Sequence, residues 1–322
     1  MKTANPVRFL AAAVAVAATL TACGGETSGT HTAGTAGDQA APQRIAALSP
    51  DVAETVAALG AGERLVLIPD TQTHPSLTNH PEVMRAVGST IAAHGPADPE
   101  RILAADPDIA IVTPRHEGET DTSALLADSA VRMVTLPNTW QGVEEMLTDI
   151  TTIGEAIGSS QQATELASSI RDGMTAIRPV PTPSRSVLIL SNQAGRPMVN
   201  AGKGFTQDLV ARAGGRNAAD DAGLSRTGFA DPEQVVRARP DAILLVDMLG
   251  LGRESFAPIL ANPAVRQLPA VRDDRILVLD AKHSQALGLQ STVDGLRQIR
   301  AWLADTGDRR WPAVPPVAVM SQ

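Results

Sequence analysis

Tyrosine is absent from the 322 residues, and the other large aromatics number three Trp and four Phe. That scarcity limits the ligands a site can hold, because ring-stacking platforms need side chains this chain hardly has. A single cysteine, Cys23, excludes any disulfide within the chain. No basic tract occurs and the net charge is −8, which argues against nucleic acid as a partner. Also missing are a phosphate-cradling Gly-rich loop, a Gly-x-Ser-x-Gly elbow and a His-Glu-x-x-His pair. With no nucleophile or base to name, the sequence does not read as an enzyme. Gly202-Lys203-Gly204-Phe205 is too short for a P-loop and reads as a turn before a helix beginning near Thr206.

What is present begins with a targeting pattern. Lys2 and Arg8 precede an apolar run from Phe9 to Leu20, and Leu20-Thr21-Ala22-Cys23 follows. The run is short for a bilayer span. Leu-Thr-Ala-Cys looks like a bacterial lipobox, so 1–22 is expected to be a lipoprotein signal peptide, with Cys23 the acylated (palmitate-bearing) N-terminus. Residues 23–43, rich in Gly, Ser, Thr and Ala, read as a flexible tether. The expected location is the outer face of the cytoplasmic membrane, anchored through that lipid.

From Arg44 onward, short β-type runs alternate with helical segments, the pattern of parallel βαβ units. Strands are expected at 44–49, 64–68, 108–113, 187–191, 242–247 and 275–280. Ser49-Pro50-Asp51 opens a helix with a capping serine, and Gly60 closes it. Residues 142–177 carry Met146, Ile150, Ile153, Ile157, Leu166 and Ile170 at helical spacing, and no proline interrupts them before Pro179. They predict one long helix, weakened locally by Gly154, Gly158 and Gly173. The chain also repeats itself. Asp98-Pro99-Glu100 and Asp231-Pro232-Glu233 each start two helical turns that end at Pro-Asp (107–108 and 240–241) and lead into an apolar strand.

With these segments in order, the chain resembles the helical-backbone class (class III) of periplasmic substrate-binding lipoproteins, those of ABC importers for hemin, cobalamin and ferric siderophores. The resemblance rests on 48–54, 59–66, the two Asp-Pro-Glu units, 202–205 and 213–217, and is nearest the hemin-binding members. It implies an α/β fold of two Rossmann-like lobes with parallel sheets, at 44–141 and 184–308, joined by one long interlobe helix at 142–178. It further implies that Glu100 and Glu233 dock onto arginines of the permease dimer, two carboxylates at fixed separation being readable by two basic pockets.

In open parallel sheets ligands sit beyond the carboxyl ends of strands. His74, His116 and His283 fall in such loops, with Arg115, Arg196 and Lys282 available for propionates or other carboxylates. Hemin-binding relatives commonly ligate iron with Tyr or His. Residues 70–75 resemble a loop in which those relatives often carry an aromatic before the proline, which implies, in a chain without Tyr, His74 as the candidate axial ligand to heme iron, with His283 or His116 as the second. Trp140 stands as a stacking or packing residue before the long helix, and Met248 as a weaker lining residue. Hemin leads as cargo, with no intrinsic cofactor. Cobalamin and ferric siderophores stay open on the same scaffold, as does a bare zinc or manganese ion held by His74, His116 and His283 with Asp70 or Asp280.

Overall fold

The computed structural model describes residues 40–93, 98–114, 126, 129–137, 140–181, 185–193, 196–248 and 250–305. The first sheet takes β1 (Ile45–Ala47), β2 (Leu65–Pro69), β3 (Thr90–Ile91), β4 (Ile109–Val112) and β5 (Arg132–Thr135) in the order β3-β2-β1-β4-β5, every pairing parallel. Its helices are α1 (Pro50–Ala58), α2 (Pro81–Ala86) and α3 (Pro99–Ala104). Two longer helices follow, α4 (Val143–Ala156) and α5 (Ser160–Thr175). The second sheet takes β6 (Ser186–Gln193), β7 (Arg196–Val199), β8 (Arg216–Asn217), β9 (Gly228–Phe229), β10 (Ala242–Asp247) and β11 (Ile276–Asp280). Its path is β11-β10-β6-β7-β9, with β8 beside β6. Around it lie α6 (Phe205–Arg212), α7 (Ala218–Asp221), α8 (Pro232–Ala238), α9 (Ala257–Leu260), α10 (Pro269–Arg272), α11 (Ala281–Ser284) and α12 (Ser291–Ala304).

All six expected strands are present, but the second sheet is not purely parallel. β7 runs antiparallel to both β6 and β9. A two-residue connection from β6 to β7 leaves room only for a hairpin, since a parallel return needs a crossover of a dozen residues or so.

Central strands alternate between two cores. Ile45 and Ala47 of β1, Ile109 and Ile111 of β4, Val187 and Ile189 of β6, and Leu244 and Val246 of β10 belong to one large apolar cluster. Their neighbours Ala46, Ala110 and Val112 face a small cluster in the first lobe, while Leu188, Ile243 and Leu245 face another in the second. Strands buried on both faces need continuous apolar runs, which is why they were readable. The large cluster includes Ile150 and Ile153 of α4 and Ile170 and Met174 of α5, so one core is common to both sheets.

The single helix expected over 142–177 is instead a hairpin of two. α4 stops at Ala156, Gly158 takes φ +74°, and α5 starts at Ser160. A left-handed residue at that point ends a helix, and glycine adopts it without steric cost. The two helices approach closely: a Cβ on Gly154 would lie 2.2 Å from that of Ala163. At the turn, Arg64 donates to Ile157 O (2.9 Å) and Ser159 Oγ (3.1 Å), and Arg132 donates to Ala156 O. At the open end, Val143 N donates to Asp208 Oδ2 (2.9 Å), Glu144 pairs with Arg171 and Arg212, and Gly173 packs on Val293. The connection therefore runs between the lobes twice, fixed to first-lobe groups at one end and second-lobe groups at the other.

The repeated segments are structural repeats as well. Asp98 Oδ1 accepts from Glu100 N (3.0 Å) and Asp231 Oδ1 from Glu233 N (2.8 Å), each capping a helix with proline in its first turn. Ile102 matches Val235 and Ala105 matches Ala238, all four buried. Asp106 and Arg239 both take positive φ, 47° and 42°. Asp108 Oδ2 then accepts from Arg44 N (2.9 Å), as Asp241 Oδ2 does from Ser186 N (2.8 Å), pinning the start of the adjacent strand. One expected cap is not formed. Ser49 makes no side-chain bond to its helix; its Oγ accepts from Thr113 N (3.0 Å), tying α1 to the end of β4.

Candidate functional site

The strand-tip loops of the two sheets meet. After β2 the chain forms a 3-10 turn, Asp70–Thr73, anchored by the buried Gln72, whose Nε2 donates to Pro50 O (2.7 Å). Asp70 Oδ1 accepts from Ala93 N (3.2 Å), holding the turn to the segment after β3. His74 follows, exposed, with Nδ1 2.6 Å from Ser76 Oγ. Across the seam, Gly250 lies in the loop after β10 at φ +69°, and a Cβ there would be 2.8 Å from His74 Cε1.

The loop bearing Gly250 is held by a buried carboxylate at the end of β10. Asp247 accepts from Leu251 N (3.2 Å), Gly252 N (2.6 Å) and Asn192 Nδ2 (2.8 Å), and Asn192 Oδ1 accepts from Met248 N (2.6 Å). Met248 is partly buried against the shared core.

The third wall is α11, just past β11. Lys282 N donates to Ser76 O (3.2 Å) and Lys282 Nζ to Pro75 O (3.3 Å). Farther along, Asn79 donates to Gly288 O (2.9 Å) and accepts from Ser291 Oγ (2.6 Å). His283 pairs through Nδ1 with Asp280, which also caps α11. A carboxylate on one ring nitrogen fixes the tautomer and leaves Nε2 as the metal-facing atom. At His74, by contrast, Nδ1 accepts from Ser76 N (3.3 Å), which places that ring's proton on Nε2.

His74 and Lys282 thus meet at one seam, and His283 is the next residue along α11. Arg196 does not join them. It opens β7, three strands from β11, which is about 14 Å at ordinary strand spacing. Its guanidinium stacks 3.9 Å from the ring centroid of Phe229, a residue the sequence did not flag. Trp140 lies against the shared core and lines a seam cavity of about 10 Å³, room for a single water at most. Its role there is packing. Arg115, His116 and Cys23 lie outside the described residues.

That small cavity holds an arrangement sequence reasoning missed. Asp51 of α1 and Asp149 of α4 both line it, with Thr55, Ile150 and, from the second lobe, Ala286 and Leu289. Asp51 Oδ2 accepts from Thr113 Oγ1 (2.5 Å). Asp149 is 6% exposed, and burial, then Asp51, then Glu145 push its carboxyl up to about 7. A signal existed: Asp149 falls between Met146 and Ile150 on the apolar face of its helix. Glu54, fully buried, accepts from Thr78 Oγ1 (2.6 Å) and Asn79 N (2.9 Å), and thereby shapes the loop that carries His74. Among the described residues, no three His, Cys, Asp or Glu side chains gather as a metal ion would require.

Known proteins share this fold. The model of a family described as periplasmic binding protein matches residues 45–283. An ABC transporter substrate-binding lipoprotein of Bacillus subtilis (strain 168) is 24% identical over 217 residues, 64% of this chain and 64% of that relative's length. The match therefore spans a little under two thirds of the relative. A periplasmic heme-binding protein from Roseiflexus sp. RS-1, solved in its apo form, superposes with a TM-score of 0.68 at 26% identity, over 81% of this chain and 97% of that one. An Fe3+-hydroxamate transport protein from Saccharomonospora viridis gives 0.66 at 21%, over 82% and 94%. At that identity the second likeness is one of fold.

Proposed function

Because the chain belongs to the periplasmic binding protein family, a family of binding proteins rather than enzymes, we propose that it is the cargo-binding component of an ABC importer. We read hemin or a related iron complex as its cargo. One observation carries this reading: the strand-tip loops of the two lobes meet at His74 and Lys282, and the adjacent His283 has Nδ1 held by Asp280, which leaves its Nε2 lone pair for a metal. The heme-binding relative at 26% identity supports the same cargo class. Lys282, in the same seam, supplies a cation for a carboxylate of the cargo.

Cargo entry requires the loops to part. The contacts to be broken include His74 on Gly250, the two Lys282 bonds, the Asn79 bonds and the packing of α1 against residues 286–289. None involves the α4–α5 hairpin, which stays in place as the lobes separate at their tips. Lipid anchoring at Cys23 would keep the protein beside its permease. Glu100 and Glu233, each exposed at the head of a repeated unit, are the docking carboxylates in this reading.

Titrating the purified protein, without residues 1–23, with hemin, cobalamin and a ferric hydroxamate tests the assignment. Hemin should give a shifted Soret band, and His74→Ala or His283→Ala should alter that band and weaken binding by more than about tenfold. If neither substitution changes the spectrum, the site is misassigned. Saturable binding of cobalamin or the hydroxamate with none of hemin would replace the cargo.

A further inference from the structure

The two Asp-Pro-Glu units share every feature their fold needs: the Asp cap, the proline, two buried apolar residues, the left-handed residue and the Asp that pins the next strand. Their differences fall on the exposed side. Ala104 of the first unit corresponds to Arg237, Asp106 to Arg239, and Arg101 to Gln234, with the Arg101 guanidinium donating to Thr90 O (2.6 Å). Since the first unit folds alike with Ala and Asp at these places, the two arginines are not demanded by the fold. Arg239 is in fact unfavourable locally. Asp tolerates a left-handed backbone through its short polar side chain, whereas a long side chain there costs energy.

Both arginines are exposed, and neither side chain makes an ion pair or hydrogen bond among the described residues. Glu233 stands one turn from Arg237, the spacing of a helical ion pair, yet no pair forms. These three charges border a surface groove of about 620 Å³ between α8 and the 262–264 stretch, with Val236 and Asn262 among its walls. The groove is thus acidic at the head of α8 and basic at its tail. Phe229, four residues before Glu233, is one of only three large apolar side chains well exposed among the described residues.

We propose that this groove is the second-lobe half of the docking surface and seats a segment of the importer's membrane subunit. That segment carries a basic side chain for Glu233 and a carboxylate for Arg237 and Arg239. The first-lobe unit, with Ala104 and Asp106 and its own Arg101 engaged by Thr90 O, rejects the carboxylate, so the two glutamates are told apart by their flanking charge. This inference rests on the docking reading of Glu100 and Glu233 given above.

The test is the affinity of the full chain for the importer's membrane subunits in lipid nanodiscs, measured by interferometry at two salt concentrations. The double variant Arg237→Ala, Arg239→Asp, which installs the first unit's residues, should weaken docking about fivefold at low salt and less at high salt. Its cargo affinity should be unchanged and its thermal stability no lower, since Asp suits the left-handed backbone at 239. If this variant docks like the wild type while Glu233→Lys does not, the groove has no part and the inference is overturned, with the docking reading intact. If Glu100→Lys and Glu233→Lys both dock like the wild type, the docking reading fails and the inference falls with it.

Discussion

Replacing Asp149 by Asn should stabilise this protein above neutral pH and do little in acid. In the native state the carboxyl is desolvated beside Asp51 and Glu145 and titrates at about 7, against an ordinary 3.8. Between those values the folded protein holds a proton that the unfolded chain has released. Wild-type stability therefore falls as pH rises through that window and levels off above about 7. At about 1.4 kcal/mol per unit, the gap corresponds to about 4 kcal/mol. Asn keeps the shape of the protonated acid and has no proton to lose, so the variant escapes this penalty. The expected gain at pH 8.5 is up to about 4 kcal/mol, or roughly 10 °C in Tm for a chain of this size. Near pH 4 the two proteins should melt together. The assay is thermal and urea unfolding of both at pH 4, 5.5, 7 and 8.5. A stability difference independent of pH, or a variant less stable at pH 8.5, would refute the claim that a buried, uncompensated carboxyl sits at the seam.

Two further outcomes follow from close approaches in the fold. Gly154→Val, which forces the hairpin helices apart at Ala163, should cost about 2 kcal/mol in urea unfolding. Gly250→Val combines a left-handed backbone with a collision on the His74 ring. It should hold the strand tips apart and raise the radius of gyration in X-ray scattering, whereas an unchanged radius would mean that the loop yields instead.

Much of this was readable because the strands are buried on both faces and so appear as apolar runs. The same is true of the duplicated unit, whose Asp cap, Pro and Glu are local signals acting within one helical turn. What escaped was decided by contacts distant in sequence. Ser49 has the residue type and position of a cap, but a strand end 64 residues away claims its hydroxyl. The hairpin break was half visible, since Gly158 followed by two serines is a stop and a restart, yet the unbroken apolar spacing on either side argued for continuity. β7 and β9 are short, with Pro197 inside the former, so neither reads as a strand until its partner is known. At the site, the rule that ligands gather at strand ends points to His74, Lys282 and His283, and the structure puts all three just past strands. Position along the sheet is not legible in the same way: Arg196 stands three strands from β11, stacked on Phe229.

The interior shared by both sheets makes this protein indivisible. Severed in the linker before Arg185, each fragment would carry away one wall of a common apolar interior and expose it to water, so neither is expected to persist alone. Shuffling cargo specificity among relatives by exchanging whole lobes should accordingly fail. Exchanging the short loops at the strand tips should succeed, because they are bonded to the scaffold but contribute little to what holds it together.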